Sequence, residues 1–143
     1  MLALDANGVP QVLIATGMTV YYATCAGDCS QQSAWTLTQI MNHNSEREIT
    51  GEAFALDPQG RPRFVMHSYS YRAMFGIGAP VPGTFYVTCD SDCHQPSSWN
   101  SSQISTQIWQ ENTLRFSADG VAHLALVATV DGMGDIAGYA ECV

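Results

Sequence analysis

Short apolar segments rich in β-branched and aromatic residues alternate with turn-forming residues along most of the chain. Residues 2–5, 9–14, 19–24 and 35–40 have this composition, which is typical of strands. Between the first two, Asp5-Ala-Asn-Gly8 supplies a carboxylate that can bond its own backbone and a glycine that tolerates a positive φ. The pattern therefore predicts hairpins of short strands, and no segment has the periodicity of a helix.

The pattern is repeated. The motif Tyr-x-x-Cys-x-x-x-Cys, followed by Trp and Ile, occupies residues 22–40 and returns with the same spacing at 86–104. The Asp-x-x-Gly turn occurs at 5–8 and 57–60, and a looser Ser-x-x-Gly version occurs at 117–120. Such a duplication indicates one structural unit stacked on copies of itself.

The copies order the predicted strands as a-b-c-d, a-b-c-d and a-b-c, because the third copy ends at Cys142. Four antiparallel strands joined by hairpins form a β-propeller blade. We therefore predict an all-β fold of antiparallel four-stranded β-propeller blades, about two and three-quarter blades in a single repeat domain. The expected bounds are about 1–41 for blade 1, about 52–105 for blade 2 and about 113–143 for the incomplete blade 3.

The combination of Leu-Asp-x-x-Gly-x-Pro, Tyr-x-x-Cys-x-x-x-Cys and Trp resembles the repeats of bacterial extracellular propeller-type proteins over nearly the whole chain. Ser117 and Ala122 depart from the turn motif in the third copy. The arrangement also resembles certain small lectins that build a complete propeller from few-bladed subunits, with sugars bound in or between blades. The resemblance implies a lectin-like propeller subunit.

The number of blades bears on assembly. Propellers typically close with four to eight blades, whereas this chain supplies fewer than three. Self-association into a homo-oligomeric ring would cover the open edges, and two chains would provide six blades. The alternative is a segment of a longer propeller, with the missing strand and the partner of Cys142 lying beyond Val143.

The cysteines indicate the compartment. Cys25 with Cys29, and Cys89 with Cys93, are each expected to form a local disulfide in an oxidising environment. Zinc is the alternative, since thiolates and His94 could bind it, but the other copy has serine at the matching position. Disulfides favour a secreted, extracellular or cell-surface protein, whose leader is not present in this sequence.

Charge and hydropathy exclude several partners. Thirteen acidic residues oppose five basic ones, and the net charge of −8 should repel nucleic acid and anionic membranes. No stretch approaches 18 consecutive apolar residues, so no membrane insertion is expected. Nothing in the sequence calls for a cofactor.

Candidate binding residues lie where the copies differ, in the b–c and d–a connections, because loops on a rigid scaffold carry binding functions. Aromatic, charged and amide side chains there suit a sugar, but they are equally suited to a subunit contact or to packing. For Trp109 the packing alternative is a gap between blades. Trp35 and Trp99 recur with the motif and are expected to be packing residues. The ligand-binding candidates are His43, Glu46, Arg47, His67, Tyr69, Tyr71, Arg72, Trp109 and Glu111.

Two other functions receive little support. Asp131 and Asp135 could ligate calcium, but two carboxylates are too few, and a solvated turn is the simpler interpretation. No nucleophile elbow, zinc helix or paired-acid pattern is present, and the Asp turns lack the full Asp-box of sialidase propellers. The sequence thus predicts a non-catalytic module that binds carbohydrate or another extracellular surface ligand. The alternative is a structural or assembly module without a small ligand.

Overall fold

A computed structural model describes residues 1–16, 19–42, 49–68, 83–109, 111–130 and 134–142. The described part consists of strands, turns and two short 3₁₀ helices, Gln32–Ala34 and Pro96–Ser98. The strands are β1 Leu2–Leu4, β2 Pro10–Ala15, β3 Thr19–Cys25, β4 Trp35–Asn42, β5 Ile49–Leu56, β6 Pro62–Ser68, β7 Gly83–Cys89, β8 Trp99–Ser105, β9 Glu111–Phe116, β10 Ala122–Val130 and β11 Gly134–Cys142.

The strands form three antiparallel sheets in chain order. Sheet 1 is β1-β2-β3-β4, sheet 2 is β5-β6-β7-β8, and sheet 3 is β9-β10-β11. Every strand pairs with its neighbour in the chain, so each sheet is a meander. The predicted all-β, antiparallel fold is confirmed, and so is the predicted order of four, four and three strands.

The turns that open sheets 1 and 2 have the predicted chemistry. The Oδ1 atom of Asp5 accepts backbone N–H bonds from Asn7 and Val9, both at 2.8 Å. Asp57 does the same for Gln59 and Arg61, at 3.0 and 2.9 Å. The glycine that follows each Asp by three residues has a φ near +77°, a conformation that side chains with a Cβ rarely adopt.

The last hairpin of each four-stranded sheet, between its third and fourth strands, is closed by a disulfide and a tryptophan. Cys25–Cys29 and Cys89–Cys93 are bonded, as predicted. The indole N–H of Trp35 donates to the carbonyl of Cys29 at 3.0 Å, and Trp99 repeats the bond to Cys93 at 2.9 Å. These disulfides are compatible with an extracellular protein. Burial raises the pKa of the half-buried Cys142 thiol, which is free.

Sheet 2 is packed between the other two sheets. Along β6, Phe64 and Met66 face sheet 1 while Val65 faces sheet 3, and all three are fully buried. This alternation follows from the two-residue period of a strand. The first core is formed by Leu13, Val20, Tyr22, Ile40, Met41, Phe64, Met66, Phe85, Val87, Cys89 and Trp99. The second is formed by Ala53, Val65, Leu114, Ala122, Leu124 and Leu126.

His94 joins sheet 1 to sheet 2 beside the second disulfide. Its Nε2 lies 2.7 Å from the hydroxyl of Thr24, and its Nδ1 lies 2.8 Å from the hydroxyl of Thr38. The ring is also 5.2 Å from that of Tyr22. The imidazole therefore occupies a polar notch in the face of sheet 1. This role has nothing to do with zinc, because the neighbouring cysteines are used in the disulfide.

Acidification should weaken this contact between sheets 1 and 2. Burial lowers the pKa of His94 from 6.5, so the unfolded chain takes up the proton before the folded one. His94 therefore contributes its full stabilisation at pH values above 6.5. This contribution is lost as the pH falls from 6.5 toward the lower pKa of the folded state. Urea unfolding at about pH 7.5 and about pH 5.5 measures the loss, and His94→Gln should reduce it. An identical pH dependence in both proteins would contradict the assignment.

Candidate functional site

The variable connections all leave one end of sheet 2. The register pairs Ile49 with Ser68, Ser68 with Gly83, and Thr84 with Ser105. The segments 43–48, 69–82 and 106–110 therefore start or finish at the same end of the sheet. The Asp turns and disulfide hairpins lie at the opposite end, as the alternation of antiparallel strands requires.

Most of the predicted ligand residues fall outside the described part of the chain. This holds for His43, Glu46, Arg47, Tyr69, Tyr71, Arg72 and Asp131. The other three ligand candidates lie close to this end of sheets 2 and 3. Glu111 begins β9, and His67 is a buried member of β6 that pairs with Thr84 in β7. Asp135, the second calcium candidate, is exposed in β11.

Trp109 is hydrogen-bonded to sheet 2 and packs against sheet 3. Its backbone N–H donates to the hydroxyl of the fully buried Thr84 at 2.9 Å, and its indole N–H donates to Ser105 Oγ at 2.9 Å. The ring lies on Gly138, where an added Cβ would come within 2.9 Å of it. Of the two roles that the sequence left open, this geometry supports the packing role, with the ring filling the gap between sheets 2 and 3.

Position 83, at the start of β7, accepts only glycine, and the composition did not indicate this. Its φ is +156°, and a Cβ at this position would collide with the carbonyl oxygen of Ser105 on the neighbouring strand. Thr84, the next residue, also donates its hydroxyl to the Gln107 carbonyl at 2.9 Å. The connection after β8 is thus held tightly against the first residues of β7. The Thr84 hydroxyl thus joins the first residues of β7 to both Gln107 and Trp109.

The opposite end of sheet 2 carries a charge network that sequence reasoning missed. Arg63 Nη2 lies 2.9 Å from Asp57 Oδ2 and 2.6 Å from Asp90 Oδ1, and Arg61 Nε lies 2.7 Å from Asp57. Sheet 1 has Val9 at the place of Arg61, so the recurrence of the turn gave no signal for the network. The side chains of Arg61, Arg63, Asp57 and Asp90 are paired with one another, so the network has a structural role.

Sheet 1 presents an open apolar surface away from sheet 2, which we call the Trp35 face. Its residues lie in adjacent cross-strand rows and, with Gln32, line a groove of about 410 Å³. Leu37 is 58% exposed there and Ile14 is 42% exposed. The Trp35 face consists of Val12, Ile14, Ala23, Trp35 and Leu37.

Sheet 3 presents an open surface on the other side of the molecule, the Tyr139 face, formed by His123, Ala125, Tyr139 and Glu141. The Tyr139 side chain is 65% exposed. Its hydroxyl donates to Glu141 Oε1 at 2.6 Å and lies 2.6 Å from His123 Nδ1. The bond to Glu141 raises the pKa of Tyr139. Burial raises the pKa of the matching tyrosines, Tyr22 and Tyr86, to about 12, because a neighbouring sheet covers them.

No family model, curated protein sequence or solved structure matches this chain. Within the described residues, no three His, Cys, Asp or Glu side chains are grouped to hold a metal ion. The same residues include no helix that is long and apolar enough to cross a membrane.

Proposed function

We propose that the chain is a non-catalytic extracellular recognition module on the β-propeller plan. Two packing relations support the propeller plan. The three meanders follow one another face to face, and β1 lies beside β5 while β5 lies beside β9. The first strand of each sheet is thus next to the first strand of the following sheet. First strands in a propeller line the central axis, and here they border a groove of about 330 Å³.

The observation that supports a recognition role is the difference between the two ends of the sheets. At one end, the polar groups of the Asp turns and of the Arg63 network are paired within the chain, and the cysteines are bonded in disulfides. This end therefore offers few groups to a ligand. At the other end, connections of unequal length leave a base that is hydrogen-bonded through Thr84 and Trp109. Loops of variable length on a rigid scaffold are the usual position of a binding surface.

Carbohydrate is the proposed ligand class. The connection 69–82 brings Tyr69, Tyr71 and Arg72, and aromatic faces stack on sugar rings while a guanidinium donates to hydroxyls. The net charge of −8 disfavours anionic glycans. Neutral sugars are therefore the first to test.

Alanine at both Tyr69 and Tyr71 should weaken sugar binding. We expect the natural chain to bind a subset of neutral glycans on an array, and the double variant to lose at least roughly tenfold in affinity, since two stacking contacts are removed. Asn7→Ala is the control, because it changes an exposed side chain in an Asp turn at the opposite end of the sheets. Folded protein that binds no glycan, or binding that the double variant retains, would contradict the proposal.

The second candidate function is assembly without a small ligand. It is favoured by the two open faces, since both carry exposed side chains at positions that are covered in sheet 2. Solution mass with and without alanine at Tyr69 and Tyr71 separates the two functions. Loss of assembly supports the structural role, whereas loss of ligand with unchanged mass supports recognition.

A further inference from the structure

We propose that the Trp35 face of one copy binds the Tyr139 face of a second copy, so that two chains close a ring of six sheets through two identical contacts. This inference rests on the propeller plan of the preceding section. To that plan it adds a second copy of the chain as the partner, the two surfaces in contact and the side chains that meet there.

The Trp35 face has a covered counterpart within the same chain. In sheet 1 the register aligns Val12 with Ala23 and Leu37, and in sheet 2 it aligns Phe64 with Val87 and Ser101. The repeat makes these two rows equivalent, and it likewise pairs Trp35 with Trp99. In sheet 2, Phe64, Val87 and Trp99 are buried against sheet 1. The Trp35 face is therefore the same kind of surface without its covering sheet.

The Tyr139 face has covered counterparts as well. Tyr139 aligns with Ala125 as Tyr22 aligns with Leu13 and as Tyr86 aligns with Val65. Tyr22 packs against sheet 2, and Tyr86 packs against sheet 3. Each sheet thus covers the next one with the face that carries this tyrosine. Sheet 3 presents the same face, and none of the described residues covers it.

The contact between sheets 1 and 2 predicts which side chains meet. There, the Tyr22 ring lies 5.4 Å from the Trp99 ring in an edge-to-face arrangement, and Thr24 bonds His94. The equivalent pairs between copies are Tyr139 with Trp35, and Glu141 with Ser30. An aromatic edge-to-face pair is favourable beyond the area that it buries.

The number of sheets determines the size of the ring. The two faces differ, so the contact is heterologous and must either close a ring or extend a filament. Three sheets in each chain give six for two copies, within the usual four to eight, and nine for three copies. A ring of two chains leaves no open face and no filament.

Charge should affect this association in a predictable way. Each copy has a net charge of −8, so the two chains repel at long range. The Trp35 face carries no charged side chain, so the repulsion comes from the rest of the molecule and is screened by salt. Association should therefore strengthen as ionic strength rises, the opposite of an interface held by ion pairs.

Sedimentation equilibrium of the intact chain tests the proposal. We expect a mass of twice 15.5 kDa that dissociates on dilution. Leu37→Glu should weaken association at least roughly tenfold, because it places a charge at the centre of an apolar contact. Leu37→Ser should retain most of it, because serine occupies the equivalent covered position 101. Ala118→Glu adds the same charge in an exposed turn and should change nothing.

Variants at the other side of the contact complete the test. Tyr139→Glu should dissociate the dimer, and Ser30→His should tighten it, since histidine would then lie beside Glu141 of the second copy. A mass of one chain at all concentrations overturns the proposal, as does a dimer that Leu37→Glu and Tyr139→Glu leave intact. A species larger than a dimer also overturns it. Because glycan binding is a separate readout, a monomer that still binds sugar rejects this inference alone.

Discussion

Replacing Trp99 with alanine should cost about 3–5 kcal/mol of unfolding free energy, the range for a large buried aromatic side chain. The residue is 4% exposed. Its ring meets Tyr22 edge-on at 5.4 Å and Phe64 at 5.7 Å, so the cavity would open between sheets 1 and 2. The bond to the Cys93 carbonyl would be lost as well. Urea unfolding followed by far-ultraviolet circular dichroism measures the loss.

Trp35→Ala is the matched control for this prediction. Trp35 has the same place in the repeat and the same bond to its disulfide hairpin, but none of the described sheets covers its outer surface. The expected cost is about 1–2 kcal/mol for a dilute single chain, because less apolar area leaves water on folding. At concentrations that favour the proposed dimer the cost should grow. Equal costs for the two variants in dilute solution would contradict the packing described here.

The local elements of this fold could be predicted because their determinants are close together in the sequence. The turn carboxylate of Asp5 binds N–H groups only two and four residues away. Each disulfide closes a separation of four residues. Repetition then supplied the order of the strands, since the turn and the Tyr-x-x-Cys motif each occur three times. No knowledge of tertiary contacts was needed for any of these predictions.

The contacts between sheets could not be predicted because they join distant residues. His94 binds Thr24 across 70 positions, and Arg63 binds Asp90 across 27. Alternation along a strand shows that two faces exist, but it does not show which neighbour covers each one. His67 illustrates the consequence. The sequence places it at the start of the long b–c connection and makes it a ligand candidate. The structure instead places it in β6 and buries it, and its ligand role stays a prediction.

The two open faces became visible only when repeat and structure were combined. The sequence alone treats Trp35 and Trp99 as equivalent packing residues. The structure buries Trp99 and leaves the Trp35 face uncovered by any described sheet. This difference in burial between equivalent positions is the observation on which the proposed contact between copies rests.

The second large effect is expected at Arg63. Arg63→Met should cost about 3–5 kcal/mol, because it removes one partner of a buried ion pair and the more exposed Arg61 compensates the Asp57 charge only in part. The Arg63 side chain is 7% exposed and that of Asp57 is 3% exposed, with 2.9 Å between Nη2 and Oδ2. The guanidinium also donates to the Pro62 carbonyl at 3.1 Å and to the carbonyl of Cys89. Urea unfolding again supplies the measurement.

Arg61→Met separates burial from charge in this network. Arg61 contacts the same Asp57 carboxylate at 2.7 Å, but its side chain is 40% exposed. Its loss should therefore cost only about 0–1 kcal/mol, as for a solvent-screened ion pair. Asp57→Asn combined with Arg63→Met should cost less than the sum of the single changes, because neither variant then leaves the other's charge unpaired. Additive costs would mean that Arg63 acts through its carbonyl bonds, and that the Asp57 pair contributes little to holding this end of sheet 2 together.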